Sequence, residues 1–300
     1  MAVLVINILS SASLFSLGLW HLVCSAKNHL RSPREFAARP WHPITFHPRL
    51  RHLQLHLVLA FLSVAILYTL FVSADSDPLV KGSTPVYRFS SLQSAAVLLF
   101  FLVLSLSILL SETTTLFPFP SEFFFFVASA GFALHSSTLR SSSTVTSGIQ
   151  GKCEFLASNV SAATAALALV LACNPRIFVA DLALGASVCL QGLWVLQTGL
   201  SLYVEAFIPE GCHRLLDVAS GIEGSTTCDL EDSRLRALAL LDLVFVFHVI
   251  FVLVVVVAAY ALAVKFVGIR RFGSYEALPT SSLSEGNHVQ MKSLVKEMQP

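Results

Sequence analysis

Long apolar runs separated by short polar segments make up most of the chain. Seven of these runs hold 18 residues or more, and a helix needs about 20 mostly apolar residues to cross the roughly 30 Å hydrocarbon core of a bilayer. The pattern therefore predicts an all-α integral membrane protein with a bundle of seven transmembrane helices. The predicted spans cover residues 3–24, 53–72, 92–110, 122–139, 155–173, 178–207 and 235–266.

The composition excludes a soluble domain. Hydrophobic residues make up 55% of the chain and charged residues only 12%, against roughly 25% charged residues in soluble domains. Within lipid, only helices and closed barrels satisfy every backbone polar group, and barrel strands alternate apolar with polar positions. Residues 244–247 and 251–257 are apolar throughout, which favours helices. The net charge of +1 gives no reason to expect a nucleic-acid partner, so membrane lipid is the expected partner.

The distribution of Lys and Arg beside the spans predicts the orientation, because cytoplasmic loops carry an excess of both residues. An N-terminus on the outer side places ten basic residues inside and seven outside. Most of this bias comes from residues 27–51, called loop one here, and from the start of the C-terminal tail. These two segments share a side because six spans separate them. Residues 1–266 are predicted to form the membrane domain, and residues 267–300 a disordered cytosolic tail.

Three connecting segments carry further expectations. Loop one is broken by four prolines and is predicted to lie at the headgroup level, with Trp41 and Phe46 as interface anchors. Residues 140–152 are rich in Ser, Thr and Gly and predict a flexible connection. The short segment around Asn174 and Pro175 predicts that the fifth and sixth spans form an antiparallel hairpin.

Two polar segments outside the spans suggest covalent modification or contact with partners. Residues 208–234 form the largest outer segment and contain Cys212 and Cys228, which an oxidising compartment allows to pair in a disulfide. Two free thiols are the alternative. In the tail, Tyr275 begins a tyrosine-based sorting pattern, and Ser274 follows two nearby arginines as a phosphorylation pattern. These patterns predict a cytosolic adaptor as partner and a location in the plasma membrane or the endomembrane system.

Ionisable side chains inside spans are costly and indicate function by default. His135, Glu205, Asp242 and His248 lie at similar depth in the outer half of the predicted bundle, together with Glu154. A polar stripe along the sixth span leads to Glu205, so we expect the first four residues to converge on one outward-facing polar cavity. The remaining ionisable groups, nearer the inner face, are His21, His56 and Asp181.

Four interpretations of these groups stay open. In the first, His135, His248 and nearby carboxylates bind zinc in an intramembrane hydrolase. In the second, the acids serve a small-solute or proton-linked transporter. In the third, His21 and His56 ligate haem, and in the fourth the groups only hydrogen-bond between helices and fix their packing. The sequence has no clustered metal-ligand spacing, no nucleophile–base pair and no phosphate-binding glycine loop, which favours a non-enzymatic role and assigns no cofactor.

A series of polar landmarks recurs in a fixed order along the chain. They are residues 18–21 (GLWH), 132–136 (FALHS), 192–200 (GLWVLQTGL), Cys212, residues 228–234 (CDLEDSR), Asp242 and His248. Together they resemble the transmembrane protein 45 family, in particular its plant branch, some members of which are described as viral-response proteins. The likeness covers nearly the whole chain.

The resemblance implies a seven-helix membrane protein of unsettled biochemical activity, with links to stress or pathogen response in plants. Family members often carry additional histidine or acidic residues just after the histidine of the fourth span. In this chain, residues 137–147 are nearly all Ser and Thr. This departure from the family argues against a metal site at that position.

Overall fold

Seven α-helices dominate the part of the chain that the computed structural model describes, namely residues 2–44, 51–74, 86–114, 119–146, 148–214 and 226–267. Six of these helices, all except α4, are long and apolar enough to cross a membrane. The chain is therefore an all-α membrane protein. The helices are α1 (Ala2–Arg31), α2 (Leu53–Ala74), α3 (Val86–Thr113), α4 (Ser121–Val145), α5 (Gly148–Cys173), α6 (Phe178–Tyr203) and α7 (Glu231–Val267).

Most helices extend beyond the apolar runs that predicted them, but α6 ends earlier than expected. The sixth span was predicted to reach residue 207, whereas the helix stops at Tyr203 and a separate 3₁₀ turn covers Glu205–Phe207. Val204 has an extended backbone, with φ −113° and ψ 112°, and this breaks the helical path. Glu205 therefore lies outside the helix whose polar stripe was expected to position it.

The predicted flexible connection at residues 140–152 is wrong. Helix α4 runs on to Val145, and α5 starts at Gly148, which adopts a positive φ of 70°. Hydroxyl groups near the end of α4 donate to carbonyls of their own helix, for example Ser143 Oγ to the Arg140 oxygen at 2.8 Å. Such bonds let Ser and Thr remain helical, because they satisfy the side chain locally.

Small residues join α4 and α5 along their whole length. Ser129 Oγ donates to the Ala165 carbonyl oxygen at 2.8 Å, and Ser136 Oγ donates to the Ser158 carbonyl oxygen at 2.9 Å. Residue numbers rise along one helix as they fall along the other, so the pair is antiparallel. Close approach of small residues with hydroxyl bonds across the seam is the usual means of packing helices in lipid.

Helices α1 and α6 form a second close antiparallel pair. A β-carbon added to Gly18 would lie 2.7 Å from the Cys189 backbone nitrogen, and one added to Gly192 would lie 2.7 Å from the Phe15 backbone nitrogen. Both distances are far below van der Waals contact, so glycine is required for this approach. Because α1 and α6 come from opposite ends of the chain, only the tertiary fold brings them together.

Contacts of α7 place its C-terminal end beside that of α1. Phe178 packs against Tyr260, and Trp194 against Phe245, so α6 and α7 are antiparallel. Lys27 Nζ lies 5.2 Å from the centroid of the Phe266 ring. Helices α1 and α7 therefore run in the same direction.

Loop one has several side chains buried against the helices, among them Trp41, which was predicted to anchor the loop at the membrane interface. Trp41 is 5% exposed and packs in a core cluster with residues of α2, α3 and α4. The Ala38 N–H donates to the Pro175 carbonyl oxygen at 2.8 Å, and the Phe36 ring packs edge-on against Phe178. The extended backbone that the prolines impose lets these apolar side chains cover the helix ends. Phe46 lies outside the described residues.

Candidate functional site

A buried carboxylate marks the end of the bundle that loop one covers. Asp181, in the first turn of α6, has no solvent exposure. Its Oδ1 lies 2.9 Å from His21 Nε2, and Ser25 Oγ donates a hydrogen bond to its Oδ2. His21 and Ser25 are four residues apart on α1 and therefore face the same side of the helix. A buried carboxylate is tolerated only when it is paired and hydrogen-bonded in this way.

His42 from loop one completes this group. Its ring centroid lies 5.0 Å from that of His21, and its carbonyl oxygen accepts a hydrogen bond from Trp20 Nε1 at 3.4 Å. Its Nε2 atom is buried and has no hydrogen-bond partner among the described residues. Burial, together with the nearby His21 and Arg39, lowers the pKa of His42 to about 3. We call Asp181, His21, Ser25 and His42 the inner cluster.

A second candidate site is a partly open cavity between α1, α4, α5 and α6, toward the end of the bundle where α1 begins; its lining is mostly apolar with several polar groups, and we call it the polar cavity. Its volume is about 170 Å³. An apolar cavity of roughly 150 Å³ holds one benzene molecule, and drug-sized ligands need about 300–1,000 Å³. The space therefore suits a solute about the size of a six-membered ring. The polar residues that line this polar cavity are Asn7, His135, Glu154, Gln191, Trp194 and Thr198.

The hydrogen bonds of His135 indicate which tautomer its neutral ring adopts. Its Nδ1 lies 3.2 Å from Ser161 Oγ, and Ser161 Oγ donates to the Phe132 carbonyl oxygen at 3.0 Å. The single hydroxyl hydrogen is thus used, so Ser161 accepts from the imidazole Nδ1–H. In this arrangement the neutral ring keeps Nε2 as a hydrogen-bond acceptor.

Glu154 and Gln191 add a carboxylate and an amide to the same lining. The Glu154 carboxylate accepts hydrogen bonds from Gln150 Nε2 at 3.0 Å and from Thr146 Oγ1 at 2.8 Å. Gln191 Nε2 donates to Thr164 Oγ1 at 2.8 Å. These contacts hold both groups in place, as a binding site requires, because fixed side chains lose little entropy when a ligand binds.

Trp194 forms the wall between this cavity and α7. The side chain is 1% exposed, and its Nε1 donates to the Cys153 carbonyl oxygen at 2.9 Å. The His248 ring meets the indole edge-on, with centroids 5.9 Å apart, and His248 Nδ1 lies 2.7 Å from the Val244 carbonyl oxygen. His248 therefore contacts the back of the tryptophan and does not line the cavity.

The structure brings only one of the four predicted site residues into the cavity, namely His135. Asp242 instead forms an ion pair with Lys152 at 2.8 Å, and its side chain is 53% exposed. Glu205 is exposed in its 3₁₀ turn. Among the residues that the structure describes, no group of three or more His, Cys, Asp or Glu side chains could hold a metal ion.

The two histidines proposed to ligate haem, His21 and His56, contact different groups. His21 faces Asp181, whereas His56 Nδ1 lies 2.8 Å from the His52 carbonyl oxygen on its own helix. The sequence placed His21 and Asp181 near the same face of the membrane but did not pair them. No pattern in the sequence indicated that His42 of loop one folds back onto His21.

Cys212 and Cys228 are joined by a disulfide. They lie in two short strands, β1 (Cys212–Arg214) and β2 (Thr226–Cys228), which pair antiparallel with Cys212 opposite Cys228. Residues 215–225 between the strands lie outside the described residues, and so do Ser274 and Tyr275 of the tail.

Comparison with known families bears on the α4–α7 half of the chain. Residues 121–261 match the model of a family described as "Family of unknown function (DUF716)". Over this segment, which is just under half of the chain, the sequence is similar to that family. The matched segment contains the cavity residues of α4, α5 and α6 together with Asp181. No curated protein matches the chain.

Proposed function

We propose that the chain forms seven membrane spans, with its N-terminus outside and its C-terminus in the cytosol. Helix α4 runs antiparallel to α5 over its whole length, so it crosses the bilayer wherever α5 does. The contact of Lys27 with Phe266 joins the basic end of α1 to the end of α7, in keeping with the positive-inside rule. Tags at the two termini should differ in protease protection in sealed vesicles, and equal protection would refute the orientation.

We further propose that the protein is a non-enzymatic carrier of a small polar solute. The observation that carries this proposal is the partly open cavity of about 170 Å³ between four helices, whose mostly apolar lining also presents amide, hydroxyl, imidazole and carboxylate groups. Binding between the helices of a bundle is typical of membrane transporters. The same volume disfavours a lipid or peptide hydrolase, whose substrates are several times larger.

The lining also supports a class of solute. The Glu154 carboxylate favours neutral or cationic compounds over anions, because a second negative charge nearby is repelled. The acceptor on His135 and the amide of Gln191 suit hydroxyl or amine groups. The proposed solutes are thus small polyols and small amines.

The test compares two glutamines of α6. Gln191 lines the cavity, whereas Gln197 donates to Ser201 on its own helix and does not line it. Purified protein is heated with polyols, amines, amino acids or inorganic cations, and a bound solute at 100 times its Kd stabilises by about 2.7 kcal/mol. Gln191→Leu should abolish this stabilisation and Gln197→Leu should retain it. Equal behaviour of the two variants, or no stabilising solute, would refute the carrier.

The biological setting rests on the resemblance to the plant branch of the family. We propose that the protein acts in a stress or pathogen response, in the plasma membrane or the endomembrane system, with a cytosolic adaptor bound at the Tyr275 pattern of the tail. Fluorescently tagged protein should change its membrane when Tyr275→Ala is introduced. Plants that lack the protein should differ from wild type in viral accumulation, and an unchanged response would contradict the setting.

A further inference from the structure

Asp181 differs from the other acidic side chains described in the bundle because it is buried without Lys or Arg in contact. Its oxygens meet an imidazole and a hydroxyl, His21 Nε2 and Ser25 Oγ. Asp242, in contrast, pairs with Lys152 and is half-exposed. An imidazole–carboxylate pair has two basic groups that can share one added proton, whereas a carboxylate–ammonium pair is already neutral.

The inner cluster and the polar cavity lie on the same pair of helices. Helix α1 supplies Asn7 to the cavity and His21 to the cluster, and α6 supplies Gln191 and Asp181. Between the two sites, Gly18 brings α1 against the backbone of α6. A change in the α1–α6 contact therefore affects both sites, because the two helices pack closely along this seam.

A third observation is the buried, unpartnered Nε2 of His42 beside His21. The imidazole is 6% exposed and belongs to loop one, which covers this end of the bundle. A buried nitrogen without a partner is costly in a folded protein, and a ring in this position can take a proton from water and pass it inward when loop one moves.

We infer that His21 and Asp181 form a proton-binding site at the cytosolic end of the bundle, which exchanges its proton with water through His42. The proton comes from the cytosol and adds to the imidazole–carboxylate pair, so that the buried group changes from a net charge of −1 to zero. Release of the proton reverses the change. That this proton is coupled to solute movement rests on the carrier function proposed above, whereas proton binding itself does not.

Other titratable groups lie near the pair. Loop one contributes His42 and the more distant Arg39, which acts on His42 electrostatically. His29 stacks on Phe178 with its ring centroid 4.0 Å away, and its Nδ1 is buried without a hydrogen-bond partner among the described residues. Lys27 lies at the same end, over the Phe266 ring, and Tyr260 of α7 contacts Phe178. None of these groups forms a hydrogen bond with Asp181, so the pair remains the proposed site of the proton.

Infrared difference spectroscopy between neutral and acidic pH tests proton binding directly. Purified wild-type protein should gain a carboxylic acid C=O band in a low-dielectric position or an imidazolium band, and ¹³C-labelled aspartate and histidine assign each band without a variant. Asp181→Asn should remove the signal, and Glu35→Gln, which changes an exposed acid of loop one, should leave it. The proposed site is wrong if Asp181→Asn keeps every band, or if labelled wild-type protein shows no band from a buried group.

The exchange path is tested by the rate at which the infrared band appears after a rapid drop in pH. His42→Gln should keep the band, but the band should appear at least tenfold more slowly than in wild type, whereas His56→Gln, which changes a ring bound within its own helix, should keep the wild-type rate. Equal rates in wild type and His42→Gln would refute exchange through His42. If the band is present but no solute stabilises the protein through Gln191, only the carrier is refuted.

Discussion

Acidification is expected to loosen loop one, because the structure buries His42 as a neutral ring. Its pKa falls from 6.5 to about 3, mainly through burial. When loop one opens, the ring meets water and recovers its ordinary pKa, so the open state binds more protons between these two values. The closed state therefore has its full stability above pH 6.5 and loses stability as the pH falls toward 3.

The size of the effect follows from the two pKa values. Between about pH 7.5 and about pH 5, the open form gains one proton that the closed form excludes, which costs the closed form about 2 kcal/mol, or roughly 30-fold in the opening equilibrium. The amide of Ala38 reports this opening, because its N–H is bound to the Pro175 carbonyl oxygen. Its hydrogen-exchange protection, corrected for the intrinsic rate, should fall by this factor.

Two histidine variants complete the experiment. His42→Gln cannot take up this proton, so the pH dependence of the Ala38 protection should fall to the smaller part that His29 contributes, because burial lowers the pKa of His29 as well. His56→Gln changes an exposed ring whose nitrogen is bound within its own helix, and it should keep the wild-type dependence. An equal dependence on pH in wild type and His42→Gln would refute the reasoning, because another group would then control the opening.

Two further predictions concern the buried Trp194 and the disulfide between β1 and β2. Trp194→Ala should lower the free energy of unfolding in detergent by about 3–5 kcal/mol, because it leaves a cavity at a buried position. Phe247→Ala, which removes a side chain that is 60% exposed, should cost far less. Similar losses in the two variants would contradict the buried position of Trp194. Non-reducing peptide mass spectrometry should recover Cys212 and Cys228 linked, and their reduction should cost about 3 kcal/mol for a separation of 16 residues. Two free thiols in native membranes would exclude the bond.

The helices of the membrane domain follow from the sequence because hydropathy is summed along the chain. A long apolar run has to satisfy its backbone internally in lipid, whatever it packs against. The short connection at Asn174 likewise predicted the hairpin of α5 and α6, and the structure confirms it. Small residues of α5 lie in its close contact with α4, where Ser158 and Ser161 are fully buried.

The composition of the sites did not follow in the same way. The helical periodicity of the sixth span predicted that the helix includes Glu205. The backbone leaves the helix at Val204, so Glu205 no longer follows the face that the periodicity assigned to it. The predicted depth in the bilayer placed His248 at the level of His135, but depth does not tell in which direction a side chain points around the helix axis. Trp194 stands between His248 and the cavity.

Local composition is enough to predict the membrane class, the approximate spans and the polar residues available to a site. Which of those residues meet depends on how the helices pack. Asp181 and His21 are 160 positions apart, and no local pattern encodes their pairing. It arises because glycines on α1 and α6 let the two helices touch, and because loop one folds His42 into the end of that contact.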